Sequence, residues 1–248
     1  MAVVLYLSKR FKLMNINQTD PQIVSDLFKA GAHFGFVRAR RHPSVKPYIF
    51  GVKNRIEIFD LEKTNEALQT ALEFVKTLGA ANASILFVGG KGEARTALKA
   101  GAEIVDMPYV DGRWIGGTLT NFTQIKKRVS KLQDLTAQKE KGELAKYTKR
   151  ERMLIDKEIE NLKRFFEGLI PMTDLPKALF VVDSKKEEIA VKEAQERGIP
   201  VIALCGSDCD ITAVDYPIPA NDASVASINF FMGKVTEAYR TGKTSVKK

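Results

Sequence analysis

Short apolar runs alternate with helical patterns along this sequence, and this alternation restricts the fold more than any other feature. Strands that are apolar on both faces and alternate with helices are typical of a parallel sheet covered on both sides, which is an α/β fold. Apolar runs predict strands at 55–61, 85–88, 103–106, 178–183 and 200–205, and a short segment at 216–219. Helical spacing predicts helices at 21–31 (after an Asp20 N-cap), 65–78, 93–100, 187–197 and 222–239, with Gly79 and Gly101 as helix stops.

The segment 118–170 interrupts this alternation and has a different periodicity. Its apolar residues are three or four positions apart along two stretches, which is the spacing of an antiparallel coiled coil. These residues are Phe122, Ile125, Val129 and Leu132, followed by Ile155, Ile159, Leu162, Phe166 and Leu169. We expect an inserted helical hairpin, with its tip at 141–148, that reaches another macromolecule. The alternative is a lid that packs back on its own sheet.

Basic residues exceed acidic ones by 39 to 30, which gives a net charge of +9 and favours a polyanionic partner. Between 27 and 56 the chain has seven basic residues and no acidic one, and aromatic residues are interleaved with them. Basic side chains neutralise phosphates and aromatic faces stack on bases, so this pattern favours RNA contact over the alternative of a solvated loop. The expected phosphate contacts are Arg38, Arg40, Arg41, Lys46, Lys53 and Arg55.

Signals for catalysis, metal binding and membrane insertion are weak. The Gly89–Gly92 turn follows a predicted strand and opens a predicted helix, but Arg95 stands where a dinucleotide pattern needs its third glycine. Cys205 and Cys209 would need His33 or His42 to complete a zinc site, and Cys205, which ends an apolar strand, fits a small core residue better. We expect no catalytic residue, no metal and no cofactor. A nucleotide-binding enzyme that uses the Gly89–Gly92 turn is the alternative.

Three ordered groups of residues resemble the small-subunit ribosomal protein S-two family. The first signature is similar to 31–35, 46–51, Asn54 and 60–64, the second to Arg113-Trp-Ile-Gly-Gly-Thr-Leu-Thr-Asn121, and the C-terminal half to 175–183, 193–194, 198–201 and 214–222. The resemblance covers about 20–239. The long inserted hairpin is similar to that of bacterial and organellar members.

The resemblance implies a Rossmann-like (flavodoxin-like) parallel sheet flanked by helices, with the coiled-coil hairpin protruding from it. The α/β domain would comprise 20–117 and 171–240, the hairpin 118–170, an N-terminal extension 1–19 and a tail 241–248. The implied role is structural: binding of 16S rRNA in the small (30S) subunit, beside other small-subunit proteins and, in many bacteria, the mRNA-binding protein S-one. The implied location is on the ribosome in the cytoplasm, with an organellar matrix as the alternative and no membrane contact.

Within the second signature, Arg113 could pair with a phosphate, and Trp114 could stack on a base or instead anchor the hairpin to the core. On the hairpin, the expected RNA contacts are Lys126, Lys127, Arg128, Lys131, Lys149, Arg150 and Arg152. Some positions depart from the family pattern, including Phe36 where members commonly have His, and His42 where they have Asn. The pattern would start naturally at Met14, so residues 1–13 could be a targeting peptide, an RNA-contacting tail or an artefact of start-codon assignment.

Overall fold

The computed structural model describes residues 21–245, so Asp20 and the predicted extension 1–19 lie outside the described residues. The helices are α1 (Pro21–Lys29), α2 (Leu61–Ala80), α3 (Gly92–Ile104), α4 (Phe122–Glu140), α5 (Lys149–Phe166), α6 (Glu188–Glu196) and α7 (Val225–Ser245). The strands are β1 (Phe34–Val37), β2 (Ile49–Lys53), β3 (Ile56–Phe59), β4 (Ile85–Val88), β5 (Tyr109–Val110), β6 (Ala178–Val182), β7 (Val201–Cys205) and β8 (Tyr216–Pro219). No helix of residues 21–245 is long and apolar enough to cross a bilayer.

The α/β fold is confirmed by a five-stranded parallel sheet in the order β5-β4-β6-β7-β8. Every residue of β4, β6 and β7 is buried, because helices cover both faces of these central strands. One apolar cluster contains Phe87 and Phe180 and packs under α2, α3 and α7. The other contains Leu86 and Val181 and packs under α6 and the base of the helical hairpin.

β5 and β6 lie on opposite sides of β4, so the chain changes direction across the sheet at that strand. In open α/β sheets, ligands bind outside the carboxyl ends of the strands at such a switch point. The Gly89–Gly92 turn follows β4 at the carboxyl ends of the strands. This turn therefore lies where a ligand site is expected for this topology.

The glycines that the sequence analysis interpreted as helix stops are instead contact points between helices. A Cβ atom at Gly79 would lie 2.2 Å from the Tyr239 carbonyl oxygen, and one at Gly242 would lie 2.2 Å from the Lys76 carbonyl oxygen. These two glycines let α2 and α7 approach backbone to backbone. The predicted tail is wrong for 241–245, because α7 continues to Ser245 through this contact; residues 246–248 lie outside the described part of the chain.

The strand predicted at 103–106 is also wrong. Gly101 lies inside α3, where it leaves room for the Met232 side chain of α7, and the helix continues to Ile104. The strand that follows β4 along the chain is β5, three residues further on, at Tyr109–Val110, and it forms one edge of the sheet. Helix α3 is therefore ended by Val105 and the positive φ of Asp106, and not by its glycine.

A small antiparallel sheet, in the order β1-β3-β2, precedes the central sheet, and only β3 was predicted. β2 and β3 are joined by Asn54 and Arg55, which both have positive φ (51° and 67°), as tight two-residue hairpins require. The small sheet is fixed to the loop after β7 by hydrogen bonds from the Phe36 and His42 amides to Ser207.

The inserted segment forms two helices, α4 and α5, that pack against each other. Ile125 and Leu132 of α4 and Ile159, Leu162 and Phe166 of α5 are buried. The turn between the helices has Gly142 in the left-handed region (φ 73°), and α5 begins with a capping box between Thr148 and Glu151. The helical hairpin is therefore present, while its supercoiling stays a prediction.

Candidate nucleic-acid interface

We call residues 38–55 the N-terminal basic segment, and four of its predicted contacts point into solvent. Arg38 lies in a short 3-10 turn after β1, and Lys46 lies in a second such turn before β2. Lys53 and Arg55 flank Asn54 at the tip of the β2–β3 hairpin. All four side chains are exposed, and none forms an ion pair with another described residue. They are therefore free to meet phosphates.

The other two arginines of the segment are held by carboxylates of the protein. The Arg41 guanidinium donates to Oε1 of Glu57 at 2.9 Å, and the Glu57 side chain is fully buried. Arg40 pairs with Asp208 at 3.0 Å and lies 4.4 Å from the centre of the Phe36 ring. Arg41, whose side chain is only 22% exposed, neutralises a buried charge and is a poor candidate for phosphate contact. The structure thus assigns it a role in folding that the charge count could not indicate.

The predicted contacts on the hairpin are exposed on both helices. Lys126, Lys127 and Arg128 follow the first turn of α4, and Lys149, Arg150 and Arg152 open α5. Lys131 differs from these six because it forms an ion pair with Glu158 across the two helices. A second pair of this kind, between Lys139 and Asp156 at 2.7 Å, lies nearer the tip. The hairpin therefore presents free positive charge near its base and near its tip.

Trp114 is not available for base stacking. It is 5% exposed, lies in the core cluster beneath the hairpin, and donates from Nε1 to Oε1 of Glu193 at 3.1 Å. The stacking prediction is therefore wrong, and the alternative that Trp114 anchors the hairpin to the core agrees with the structure. Its neighbour Arg113 is exposed, at the rim of a cavity between the loop after β5 and the end of α5.

Glu193 organises the entrance to the hairpin, and its role was missed by the sequence analysis. Besides Trp114, its carboxylate accepts hydrogen bonds from the amides of Gly117, Leu119 and Thr120 and from the Thr120 hydroxyl. Burial alone would raise the pKa of Glu193, but these donors outweigh burial and lower the pKa. The only sequence signal for Glu193 was its place in the family resemblance.

A buried cluster of charges lies beside the Gly89–Gly92 turn. Nζ of Lys91 is 2.8 Å from Oδ2 of Asp183, at the end of β6, and 2.8 Å from Oδ2 of Asp222, before α7. Burial, helped by the nearby Asp183 charge, raises the pKa of Asp222 to about 6 against the opposing effect of Lys91. Burial would also raise the pKa of Asp183, but its hydrogen bond and charge interaction with Lys91 lower it overall.

This cluster fits an internal ammonium group better than a metal ion. Asp183, Cys209 and Asp222 form the only group with metal-ligand spacing among residues 21–245. A hydrogen bond with Cys205 and burial raise the pKa of Cys209, so its sulfur is a thiol and a weak ligand. The positive charge of Lys91 already lies against both carboxylates. His33 stacks on Phe28 and does not join the two cysteines.

The glycine turn does not offer a free phosphate cradle. The Gly90 amide, which would face a phosphate in a dinucleotide-binding protein, donates to Oε1 of Glu187 at 3.0 Å. A carboxylate of the protein thus occupies the place of the anion. This arrangement disfavours the enzyme alternative that relied on the Gly89–Gly92 turn.

Comparisons with known proteins agree with the fold and with a non-catalytic role. The family model described as ribosomal protein S2 matches residues 27–242. The small ribosomal subunit protein uS2 of Chloroflexus aurantiacus is 42% identical over 225 residues, which cover 90% of this chain and 94% of the relative. The uS2 proteins of Coprothermobacter proteolyticus (42% identity; 89% and 82% covered) and a Roseiflexus species (43%; 88% and 83%) are similar to the same extent.

These relatives are ribosomal proteins, so the enzyme alternative is not supported. The match extends through the small antiparallel sheet, the parallel sheet and the inserted hairpin, and it includes the residues whose resemblance was noted from the sequence. The chain therefore belongs to the ribosomal protein S2 family.

Proposed function

We propose that this chain is a structural constituent of the small (30S) ribosomal subunit, where it binds 16S rRNA and serves translation. Family membership supports this role, as do relatives named as small-subunit proteins. The observation that carries RNA binding is the presence of exposed cations in two separate regions, the N-terminal basic segment and the hairpin, that have no carboxylate partner in the described part of the chain. Such cations release counterions from RNA when they bind phosphates.

The proposed RNA contacts follow from exposure and pairing. We assign phosphate contact to side chains that are exposed and unpaired among residues 21–245, namely Arg38, Lys46, Lys53, Arg55, Arg113, Lys126, Lys127, Arg128, Lys149, Arg150 and Arg152. Lys131 would first have to exchange its half-exposed partner Glu158 for a phosphate. Arg40 would have to leave Asp208, a buried carboxylate that Lys185 also binds, which makes its contact with a phosphate less favourable. Arg41 is assigned to the fold alone, since its removal from Glu57 would leave a buried charge.

The chain consists of an α/β domain and an inserted hairpin, and these two parts offer separate surfaces for contact with neighbouring molecules. In this proposal the α/β domain (20–117 and 171–240, with α7 continuing to Ser245) lies against the subunit and the hairpin (118–170) extends along it. Neighbouring small-subunit proteins and the S-one protein are the proposed protein partners. The proposed location is on the ribosome in the cytoplasm, with an organellar matrix as the alternative.

Sedimentation of a cell lysate through sucrose gradients at low and high salt tests the role directly. We expect the chain to migrate with small subunits at low salt and to be released as salt rises, because its contacts are with phosphates. If the chain stays in the top fractions at both salt concentrations, the proposed function is wrong.

A salt titration of 16S rRNA binding tests the contacts. The variant with Arg38, Lys46, Lys53 and Arg55 all changed to Gln should lower the log–log salt slope by about 3, at 0.7 to 0.9 per lost phosphate contact. A control with the same charge change, in which Lys76, Lys177, Arg240 and Lys243 become Gln, should keep nearly the full slope; these four are exposed and lie elsewhere. An unchanged slope in the first variant would remove the N-terminal basic segment from the interface.

A further inference from the structure

A cavity of about 460 Å³ lies at the switch point of the parallel sheet, beneath the base of the hairpin. Its walls come from the Gly90 turn after β4, from β5 and the loop 111–114 that follows it, from the end of α5 and from the beginning of α6. This volume is within the range of pockets that hold small organic ligands. Its position is the one where open α/β sheets bind ligands.

Positive charge dominates the rim of this cavity. Five cations line it, Arg95, Arg113, Lys163, Arg164 and Lys186, against the three carboxylates of Asp111, Glu167 and Glu187. All five cations are exposed, and none has an ion-pair partner within residues 21–245. Several unpaired cations around one concave site attract an anion, and guanidinium groups bind phosphate with two parallel hydrogen bonds.

The walls also offer flat aromatic surfaces. The Tyr109 and Phe165 rings line the cavity and are only partly buried. The Arg164 guanidinium lies 5.4 Å from the centre of the Phe165 ring. Aromatic rings and guanidinium planes are the surfaces on which unpaired bases stack. The Asp111 carboxylate can accept a hydrogen bond from a base amino group.

We propose that this cavity receives one unpaired nucleotide of RNA, with its phosphate on Arg113 and Arg164 and its base against Phe165 and Tyr109. The inference rests on the proposed function. In that function the exposed cations attract RNA in general, and the cavity adds one specific site for it. A free nucleotide fits less well, because the Gly90 amide that would hold its phosphates is bound to Glu187. The rim also continues into the last turn of α5, where Lys163 and Arg164 extend the basic surface of the hairpin.

Ultraviolet cross-linking of the full chain to 16S rRNA tests the site. After nuclease and protease digestion, peptides that carry a single nucleotide should include residues 109–114 or 163–168. If the chain binds RNA but carries adducts only elsewhere, the cavity proposal is wrong and the proposed function stands. If the chain does not bind RNA at all, the proposed function itself fails. If AMP yields these adducts and RNA does not, the ligand is a free nucleotide and the RNA proposal is overturned.

Affinity measurements with matched variants give a second readout. Changing both Arg113 and Arg164 to Gln should weaken 16S rRNA binding about tenfold, which corresponds to the loss of about 1.4 kcal/mol. The control Arg240→Gln with Lys243→Gln removes the same charge from the exposed side of α7 and should weaken binding less than about twofold. Equal losses in the two variants would show that the cavity contributes only general charge, and this would overturn the proposal.

Discussion

The N-terminal basic segment and the helical hairpin look alike in sequence but use their cations differently. In the segment, Arg40 and Arg41 are bound to carboxylates of the protein, and Arg41 meets one that is fully buried. In the hairpin, Lys131 is the only predicted contact with a carboxylate partner among residues 21–245, and both members of that pair are about half exposed. A count of basic residues along the sequence therefore does not distinguish cations that stabilise the fold from cations that are free to bind phosphates. Burial of the partner carboxylate separates the two kinds.

The largest expected effect concerns the buried pair of the N-terminal basic segment. Arg41→Gln leaves the Glu57 carboxylate buried without its positive partner, and Oε2 of Glu57 has no hydrogen-bond partner within the described structure. Removing one partner of a buried ion pair costs about 3 to 5 kcal/mol, so we expect the free energy of unfolding in urea to fall by about that amount.

Arg38→Gln is the matched control for Arg41→Gln, because Arg38 lies in the same segment but is exposed and forms no ion pair with another described residue. It should change the free energy of unfolding by less than about 0.5 kcal/mol. If Arg41→Gln destabilised the protein by no more than Arg38→Gln does, the distinction between the two kinds of cation would collapse.

The second effect concerns the buried carboxyl group of Asp222 and its partner Lys91, a cation that, like Arg41, is bound to carboxylates of the protein. Since burial raises the pKa of its partner Asp222 to about 6 from 3.8, the unfolded chain loses the Asp222 proton first as pH rises. The stability contributed by this group is fully present below pH 4 and is lost as pH rises through about 6. At 1.36 kcal/mol per pKa unit, the loss is about 2 to 3 kcal/mol.

Urea unfolding of the natural chain and of Asp222→Asn, measured from pH 4 to pH 7, isolates this contribution. The groups that face Asp222 also titrate or carry charge, notably Lys91, Asp183 and Asp208, but they are common to both proteins. The difference in the free energy of unfolding, natural chain minus variant, should therefore fall as pH rises. A difference that is constant over this range would mean that Asp222 is ionised normally in the folded protein.

The central strands of the core were predictable because the run of apolar residues that indicates a buried strand lies within the strand itself. The all-apolar runs of β4, β6 and β7 appear in the sequence within one residue of their observed bounds. The roles of two glycines were predicted wrongly. Gly79 and Gly101 each follow an apolar helical pattern, as glycines that end helices do, but both pack against α7, more than a hundred residues away. β1 and β2 were missed because they are short and partly exposed, so that no apolar run indicates them.

The sequence could indicate which basic residues belong to the candidate site, but not which carboxylates they pair with. Arg41 and Glu57 are 16 residues apart and meet only when the small sheet folds, and Lys91 meets Asp222 across 131 positions. Trp114 belongs to a recognisable signature, yet its burial depends on Glu193, which accepts its indole N–H from another helix. No local pattern encodes such contacts between distant residues.

The smallest expected effect concerns the Lys131–Glu158 pair, whose strength decides whether Lys131 is free to bind a phosphate. The Lys131 and Glu158 side chains are 45% and 42% exposed, and ion pairs in solvent contribute about 0.2 to 1 kcal/mol. In a double-mutant cycle of Lys131→Gln and Glu158→Gln, we expect a coupling energy below about 0.5 kcal/mol, measured by urea unfolding. The same cycle at Lys139 and Asp156, the other inter-helix pair, is the control and should give a similar value. A coupling energy above about 1 kcal/mol at Lys131 would place it with Arg41 among the cations that hold the fold, since a carboxylate that binds so strongly would not yield its partner to a phosphate.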